Sequence, residues 1–440
     1  MVQVPLTVLV CWDSVVIVLS CRIFLELTGR GNRRDVMSMK PVRQTVTILI
    51  IVAIALSFAG CSGSFFNPPP PGCGNNCPPT PEFLYAASPD QILSFEINQS
   101  TGALGAPLAT PGPNQSIGLT ATITLGHLYI SDFLNDTVNG FSINSSTGGL
   151  TAITGSPYSL GGTPPGAGGL SMFVPAGSYL YATDVNAGTV AGFSYNSASG
   201  MLTPVPGSPF PAGNTPVQVV QAGSQGKFLY VSNLNDSGGG ISAFTIDFNA
   251  GALTPISGSP FPTGPPGSFP GPSAMVVGGN SGNVLYVALA GTANANNKIV
   301  AFTIDPSTGV LTPLPLSPFA TGNDPLYMAL VPVTLVGFQE FLYTANIQDN
   351  TISAFIVDGN TGVLTPASGS PFSGGTSLGG LAVTPTGTAT GNFFLYAADP
   401  QAKTVRAYTV NGTTGALSPI PGSPFPAGSS PTLITVAVSQ

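Results

Sequence analysis

Apolar and polar residues alternate along this chain in short bursts. Ile241-Ser242-Ala243-Phe244-Thr245-Ile246-Asp247 is one of them. A period of two marks a β-strand whose two faces meet different surroundings. Upstream, Pro216 to Ala222 is an extended run, and Phe228 to Ser232 is β-branched and aromatic. Gly223 to Lys227 and Asn233 to Gly240 read as the turns between them. Downstream, Asn249-Ala250-Gly251 predicts a hairpin turn with a glycine free to take positive φ. Leu253 to Ile256 then begins a fourth strand, which Gly258-Ser259-Pro260-Phe261 ends. No segment after Pro81 has a helical period.

This four-strand unit repeats. The second strand carries a Phe-Leu-Tyr phrase or a variant, with its tyrosine at Tyr85, Tyr129, Tyr181, Tyr230, Tyr286, Tyr343 and Tyr396, spaced by 44, 52, 49, 56, 57 and 53 residues. A period near 50 residues signals a repeat architecture. The third strand carries Phe95, Phe141, Phe193, Phe244, Phe302, Phe355 and Tyr408, and the hairpin after it carries Gly102, Gly148, Gly200, Gly251, Gly309, Gly362 and Gly415. Ser-Pro-Phe or Ser-Pro-Tyr closes six units, at Tyr158, Phe210, Phe261, Phe319, Phe372 and Phe425. The fourth strand holds Pro204, Pro255, Pro313, Pro366 and Pro419. Proline cannot donate to a ladder, so this strand belongs at a sheet edge, where it also blocks edge-to-edge pairing. Small four-stranded sheets with such an outer edge, repeated around an axis, make an all-β propeller. The first unit lacks a first strand, and a spare strand, Thr432 to Val438, follows the last. The count therefore predicts seven blades, in a ring closed by the C-terminal strand completing blade one.

Composition narrows the partners. Gly (56) and Pro (44) are abundant, but 43 % hydrophobic residues and 25 Phe point to a packed core, with the Gly and Pro in turns. From Cys61 onward there are four cations (Lys227, Lys298, Lys403, Arg406) against 14 acids. Nucleic-acid binding needs a basic stripe, which four scattered cations do not form.

The first 81 residues read as an address and a tether. Lys40 and Arg43 precede the apolar run Val46 to Leu56, which is short for a membrane span. Phe58-Ala59-Gly60-Cys61 then resembles the lipobox of bacterial lipoproteins, in which the cysteine is diacylated and becomes the mature N-terminus. Residues 39–60 are thus expected to be a lipoprotein signal peptide and Cys61 the lipidated residue. Residues 1–38 are expected to lie upstream of the true translation start, at Met37 or Met39; an additional membrane segment is the rival reading. Residues 61–81 form a proline-rich tether. Cys73 and Cys77 within it are candidates for a small disulfide outside the cytoplasm; two cysteines with no nearby histidine are too few for a metal. Residues 82–440 are the propeller.

Tyr230-Val231-Ser232-Asn233 and Tyr343-Thr344-Ala345-Asn346, each followed by a Phe-bearing strand and a Thr-Gly-x-Leu type turn, resemble the YVTN-repeat propellers. They are also similar to the seven-bladed lactonase family that includes the propeller type of 6-phosphogluconolactonase. The resemblance spans Phe83 to Val438 and implies the fold. In those lactonases the loop before the innermost strand tends to read Pro-Arg-His, and strand-end Glu residues join that cluster. The equivalent places here are Pro216-Val217-Gln218, Pro325-Leu326-Tyr327 and Pro431-Thr432-Leu433, with no Arg or His.

The remaining candidates are few. His127, the only histidine, lies in Gly126-His127-Leu128-Tyr129 and reads as a turn residue away from those loops; a Ser-His-Asp triad would need a histidine beside a nucleophile. Gly375-Thr376-Ser377-Leu378-Gly379 has nucleophile-elbow spacing, but that motif needs a strand-to-helix turn, and this is a glycine loop between repeats. Three residues after the repeat tyrosines stand Ser88, Asp132, Asp184, Asn233, Leu289, Asn346 and Asp399. Asx residues at a strand end commonly cap turns. The functional alternative is that Asp132, Asp184, Asn233, Asn346 and Asp399, with Asp324, face a ligand: a hard cation such as Ca²⁺ held by oxygens, a glycan or a peptide.

The reading that follows is an exported, lipid-anchored, monomeric propeller that binds or scaffolds a protein, glycan or small molecule without catalysis. It rests on the missing acid, base and cationic residues. A lactonase-like hydrolase acting on sugar lactones and a structural cell-surface protein are the alternatives. Mass spectrometry of the native protein is expected to find a mature N-terminus at a diacylated Cys61; a peptide from residues 1–30 in cells would defeat this reading.

Overall fold

The computed structural model describes residues 2–12, 15–25, 81–121, 126–173, 179–223, 226–235, 240–264, 271–279, 282–290, 297–331, 339–385 and 393–438. The chain divides into two compact units, Met1–Gly63 and Ser64–Gln440. In the first, Val2–Trp12 pairs antiparallel with Val15–Leu25 as a hairpin. The signal segment, Cys61, the tether, Cys73 and Cys77 lie outside the described residues. Among those residues no helix is long and apolar enough to cross a membrane.

The second unit is all-β, and its seven sheets match the seven repeats. Blade 4 is representative: Pro216–Ala222, Phe228–Asn233 and Gly240–Ile246 run innermost to third, and the outer edge comes in two pieces, Leu253–Pro255 and Phe261–Pro262. Both pieces pair with the third strand. Between them the ladder is interrupted at a cis Ser259-Pro260 bond. The Ala243 N–H left over there donates to Ser259 Oγ at 2.9 Å. The same bond recurs from Gly140 to Ser156, Gly192 to Ser208, Ala301 to Ser317, Ala354 to Ser370 and Ala407 to Ser423. The Ser-Pro signature thus supplies the acceptor that the broken edge removes.

The ring closes as the count requires. Leu433–Val438 pairs with Glu82–Ser88, Leu84 opposite Val436, and is the innermost strand of blade 1. The second strand of each blade is buried on both faces because a blade covers each side. Period two then sorts its residues between two interfaces. In blade 1, Phe83, Tyr85 and Ala87 pack with Leu128, Ile130 and Phe141 of blade 2. Leu84 and Ala86 pack with Phe394, Tyr396 and Ala398 of blade 7. Seven apolar clusters form in this way, one per pair of neighbouring blades.

Each repeat tyrosine is fully buried and donates its hydroxyl hydrogen to the hairpin glycine carbonyl of the next blade. The pairs are Tyr85–Gly148 (3.0 Å), Tyr129–Gly200, Tyr181–Gly251 (2.8 Å), Tyr230–Gly309 (2.7 Å), Tyr286–Gly362 (2.8 Å), Tyr343–Gly415 (2.8 Å) and, across the closure, Tyr396–Gly102 (2.9 Å). The glycines sit at φ 68 to 73°. A Cβ on Gly102 would lie 2.5 Å from the Phe394 ring, so both conformation and space require glycine there. Deleting Ser429 to Gln440 removes the innermost strand of blade 1 and leaves Leu84 and Ala86 half uncovered. The truncated protein is expected to melt at least about 10 °C lower, or not to fold, in calorimetry; a melting curve like that of the full chain would refute closure.

Candidate functional site

The innermost strands begin with a bulge. Pro216 pairs with Asn233 but Gln218 with Ser232, which leaves Val217 extra; the same shift leaves Ser273 and Leu326 extra in blades 5 and 6. A bulge re-aims the unpaired residue. Hydroxyls two positions after the repeat tyrosines steady this backbone: Ser131 Oγ accepts from Gly118 N–H at 2.7 Å, and Ser232 Oγ from Gln218 N–H at 3.2 Å.

These strand starts enclose an axial cavity of about 360 Å³. All seven blades contribute: Gly118 and Leu119, Leu170, Val217 and Gln218, Ser273, Leu326 and Tyr327, Leu381, and Leu433. None of the described residues that line it carries a charge. Its polar groups are partly committed. Ser273 Oγ donates to Pro325 O at 2.8 Å, and Gln218 Oε1 accepts from the Met275 N–H. Burial pushes the Tyr327 phenol above its ordinary range. Each of the triplets at 216–218, 325–327 and 431–433 thus sends residues to the axis: Val217 and Gln218, Leu326 and Tyr327, and Leu433. Gln218 and Tyr327 are the polar residues that sequence reasoning placed there without assigning them a role.

The strand-end Asx residues sit elsewhere. None of Asp132, Asp184, Asn233, Asp324, Asn346 and Asp399 lines the axial cavity. They serve their own turns and blade contacts. Asp132 accepts from the Asn135 N–H (3.2 Å) and from Asn135 Nδ2 (2.8 Å). Asn233 Nδ2 donates to Ala212 O (3.2 Å) and Ser242 Oγ (2.9 Å). Asn346 Nδ2 donates to Ser353 Oγ (2.9 Å). Asp324, at φ 57°, accepts from the Ile347 N–H through its backbone carbonyl (3.0 Å). Asp399 accepts from Thr376 N–H and Oγ1, Ser377 N–H, Ala402 N–H and, at 3.1 Å, Arg406 Nε. Burial alone would raise its pKa, but these donors outweigh burial and hold it below the usual carboxylate range. Among the described residues no three His, Cys, Asp or Glu side chains gather as a metal-holding group.

His127 differs from its reading as a turn residue. It begins the second strand of blade 2, in the place that Phe83 fills in blade 1, at the opposite end of that strand from Asp132. It is buried, its Nδ1 is 2.7 Å from Tyr195 Oη, and burial lowers its pKa. Its role is to pack one blade on the next. Ser377 lies in the loop between Phe372–Ser373 and Leu381–Val383, with no helix after it, so the elbow spacing there is coincidental.

The unit Ser64–Gln440 is therefore a seven-bladed propeller, and the described residues that line its axial cavity are uncharged. Its fold is similar to that of two putative 6-phosphogluconolactonases. The one from Bacteroides fragilis matches with TM-score 0.62 at 19 % identity, over 81 % of this chain and 98 % of that one. The one from Bacteroides uniformis matches with 0.60 at 18 %, over 81 % and 99 %. The Pseudomonas aeruginosa periplasmic gluconolactonase matches with 0.61 at 17 % identity, over 82 % and 100 %. No family profile and no curated protein matches the sequence.

Replacing Asp399 by Ala leaves five donors without their acceptor and is expected to cost roughly 2–4 kcal/mol in denaturant unfolding. Because its folded pKa is depressed, the contribution is present above the ordinary carboxylate pKa and is lost as pH falls through the lowered value. The gap between wild type and Asp399→Ala should therefore narrow in acid.

Proposed function

We propose that this protein is an exported, lipid-anchored propeller that binds a small, uncharged and largely apolar molecule in its axial cavity, without catalysis. One observation carries the reading: a cavity large enough for a small ligand is walled by all seven blades, and none of the described residues lining it is charged. Ligand pockets of this kind are mostly apolar with a few placed polar groups. Gln218 and Tyr327 are those groups here. Opening a sugar lactone needs a group that moves a proton and a group that stabilises the oxyanion. Among the described residues the wall offers neither an acid–base pair nor a cation, and a phosphorylated substrate would find no positive partner in them. Export is supported by the lipobox-like Phe58-Ala59-Gly60-Cys61; one fold neighbour is a periplasmic protein. Lipid anchoring rests on Cys61 alone.

Incubation of the purified protein with a panel of sugar lactones, phosphorylated and not, is expected to give no turnover above the uncatalysed rate. Neutral aromatic and aliphatic probes are expected to bind in calorimetric titration, and their binding to weaken about tenfold or more in a Leu326→Lys variant, which places a charge in the wall. Lactone turnover abolished by Gln218→Ala or Tyr327→Phe would instead establish the hydrolase reading.

A further inference from the structure

Blades 2 and 3 meet over an unusual pair. Asp136 closes the turn from the second to the third strand of blade 2, at φ 53°. Its Oδ2 accepts from the Gly162 N–H at 3.0 Å, and its Oδ1 is buried without a hydrogen-bond partner. Asp184 ends the second strand of blade 3. Its Oδ1 accepts from the Asn186 and Ala187 N–H groups at 3.2 and 2.9 Å, and its Oδ2 is likewise buried without a partner. The two residues are 1 % and 0 % exposed. Both press on the same glycines. A Cβ on Gly166 would lie 2.5 Å from Asp184 Oδ1 and 2.6 Å from Asp136 Oδ1, and one on Gly162 would overlap Asp184 Oδ2. The two carboxyls thus come close to each other beside these glycines.

No cation compensates them. The segments packed here, residues 129–138, 158–169 and 181–190, contain no Lys, Arg or His. Their other titratable groups are Asp132, held by Asn135; Tyr129 and Tyr181, committed to glycine carbonyls; and Tyr158, whose phenol burial pushes up. Blades 6 and 7 solve the same junction differently. There the turn position is Asn350, whose Oδ1 accepts from the Leu378 N–H, and the strand-end Asp399 has Arg406. Two buried carboxylates without such help cannot both ionise cheaply. A Ca²⁺ ion would want six to eight oxygens, and the surrounding carbonyls each already accept a hydrogen bond: Phe133 O from Gly166, Asp136 O from Leu160, Gly166 O from Val185, Asp184 O from Gly188 and Pro165 O from Asn186. A proton on either carboxyl removes the repulsion without needing a new set of ligands.

We propose that Asp136 and Asp184 form a one-proton site that fastens blade 2 to blade 3, tight when one carboxyl is protonated and repelling when both are ionised. Burial, and then the charge of Asp184, push the Asp136 carboxyl up to about 6, against the pull of the Gly162 N–H. The folded pKa lies above the unfolded one. The contribution is therefore complete below the unfolded value and is lost as pH rises through about 6.

The test is thermal unfolding of the purified protein in chelator at about pH 5 and about pH 7.5. The wild type is expected to lose several degrees on going to the higher pH. In Asp136→Asn, whose amide can donate to Asp184, that loss should largely vanish. An unchanged pH dependence in Asp136→Asn would overturn the proposal. So would a Ca²⁺-dependent rise in melting temperature that the variant lacks, which would assign the site to a metal. Should the variant fail to fold, the wild type labelled with ¹³C at its aspartate carboxyls decides: a resonance with its midpoint near pH 6 is expected, and none titrating above about pH 5 would overturn it.

Discussion

The structure depends on one repeated contact, the buried tyrosine hydroxyl that reaches the hairpin glycine of the next blade. Each bond is worth about 1 kcal/mol, a small part of an interface dominated by apolar burial. Its importance is geometric. The phenol must stop at a fixed distance from a backbone carbonyl, and the glycine must present that carbonyl with no Cβ in the way. The seven bonds therefore set how closely each sheet approaches the next. The last of them, from Tyr396 to Gly102, spans 294 residues and can form only if the preceding six leave the right gap.

Everything functional is downstream of that spacing. A ring of seven blades leaves the innermost strands too far apart to fill the axis with their own side chains, and their bulges turn Val217, Ser273 and Leu326 toward the opening. The wall that results is built from the residues that best suit strand starts and blade packing. Its described lining is neutral because those positions carry Gly, Leu, Ser, Gln, Tyr and other uncharged residues, while Asp132, Asp136 and Asp399 sit at turns. Asp399 shows what the turns ask of a carboxylate: five donors from a loop, the next turn and Arg406 converge on it. It is structural in the same sense as the tyrosines.

His127 and Asp136 show how far a local reading can go. The histidine has turn-like neighbours, Gly126 before it and Leu128 after it, yet its alignment with Phe83 in the repeat identifies it as an interface residue. That signal was available in the register of the Phe-Leu-Tyr phrase. Asp136 gave less. It occupies the turn position of Asp90, Asn350 and Lys403, all at positive φ, and turn chemistry explains its presence there. That it meets another carboxylate from the next blade has no counterpart in the residues around it.

Strand order, turn positions, the proline edge, the number of blades and the closing strand were all legible in the chain, because each follows from a short-range rule: period two, a glycine where φ must be positive, no proline inside a ladder. What lay beyond it was which groups meet across the blades. Tyr85 and Gly148, Gln218 and Met275, Asp136 and Asp184 are far apart in sequence and come together only when one sheet is laid on another at a particular angle and distance. The neutral cavity and the paired acids are properties of that stacking, since burial and proximity, which set both hydrophobic recognition and proton affinity, do not exist until the ring is closed.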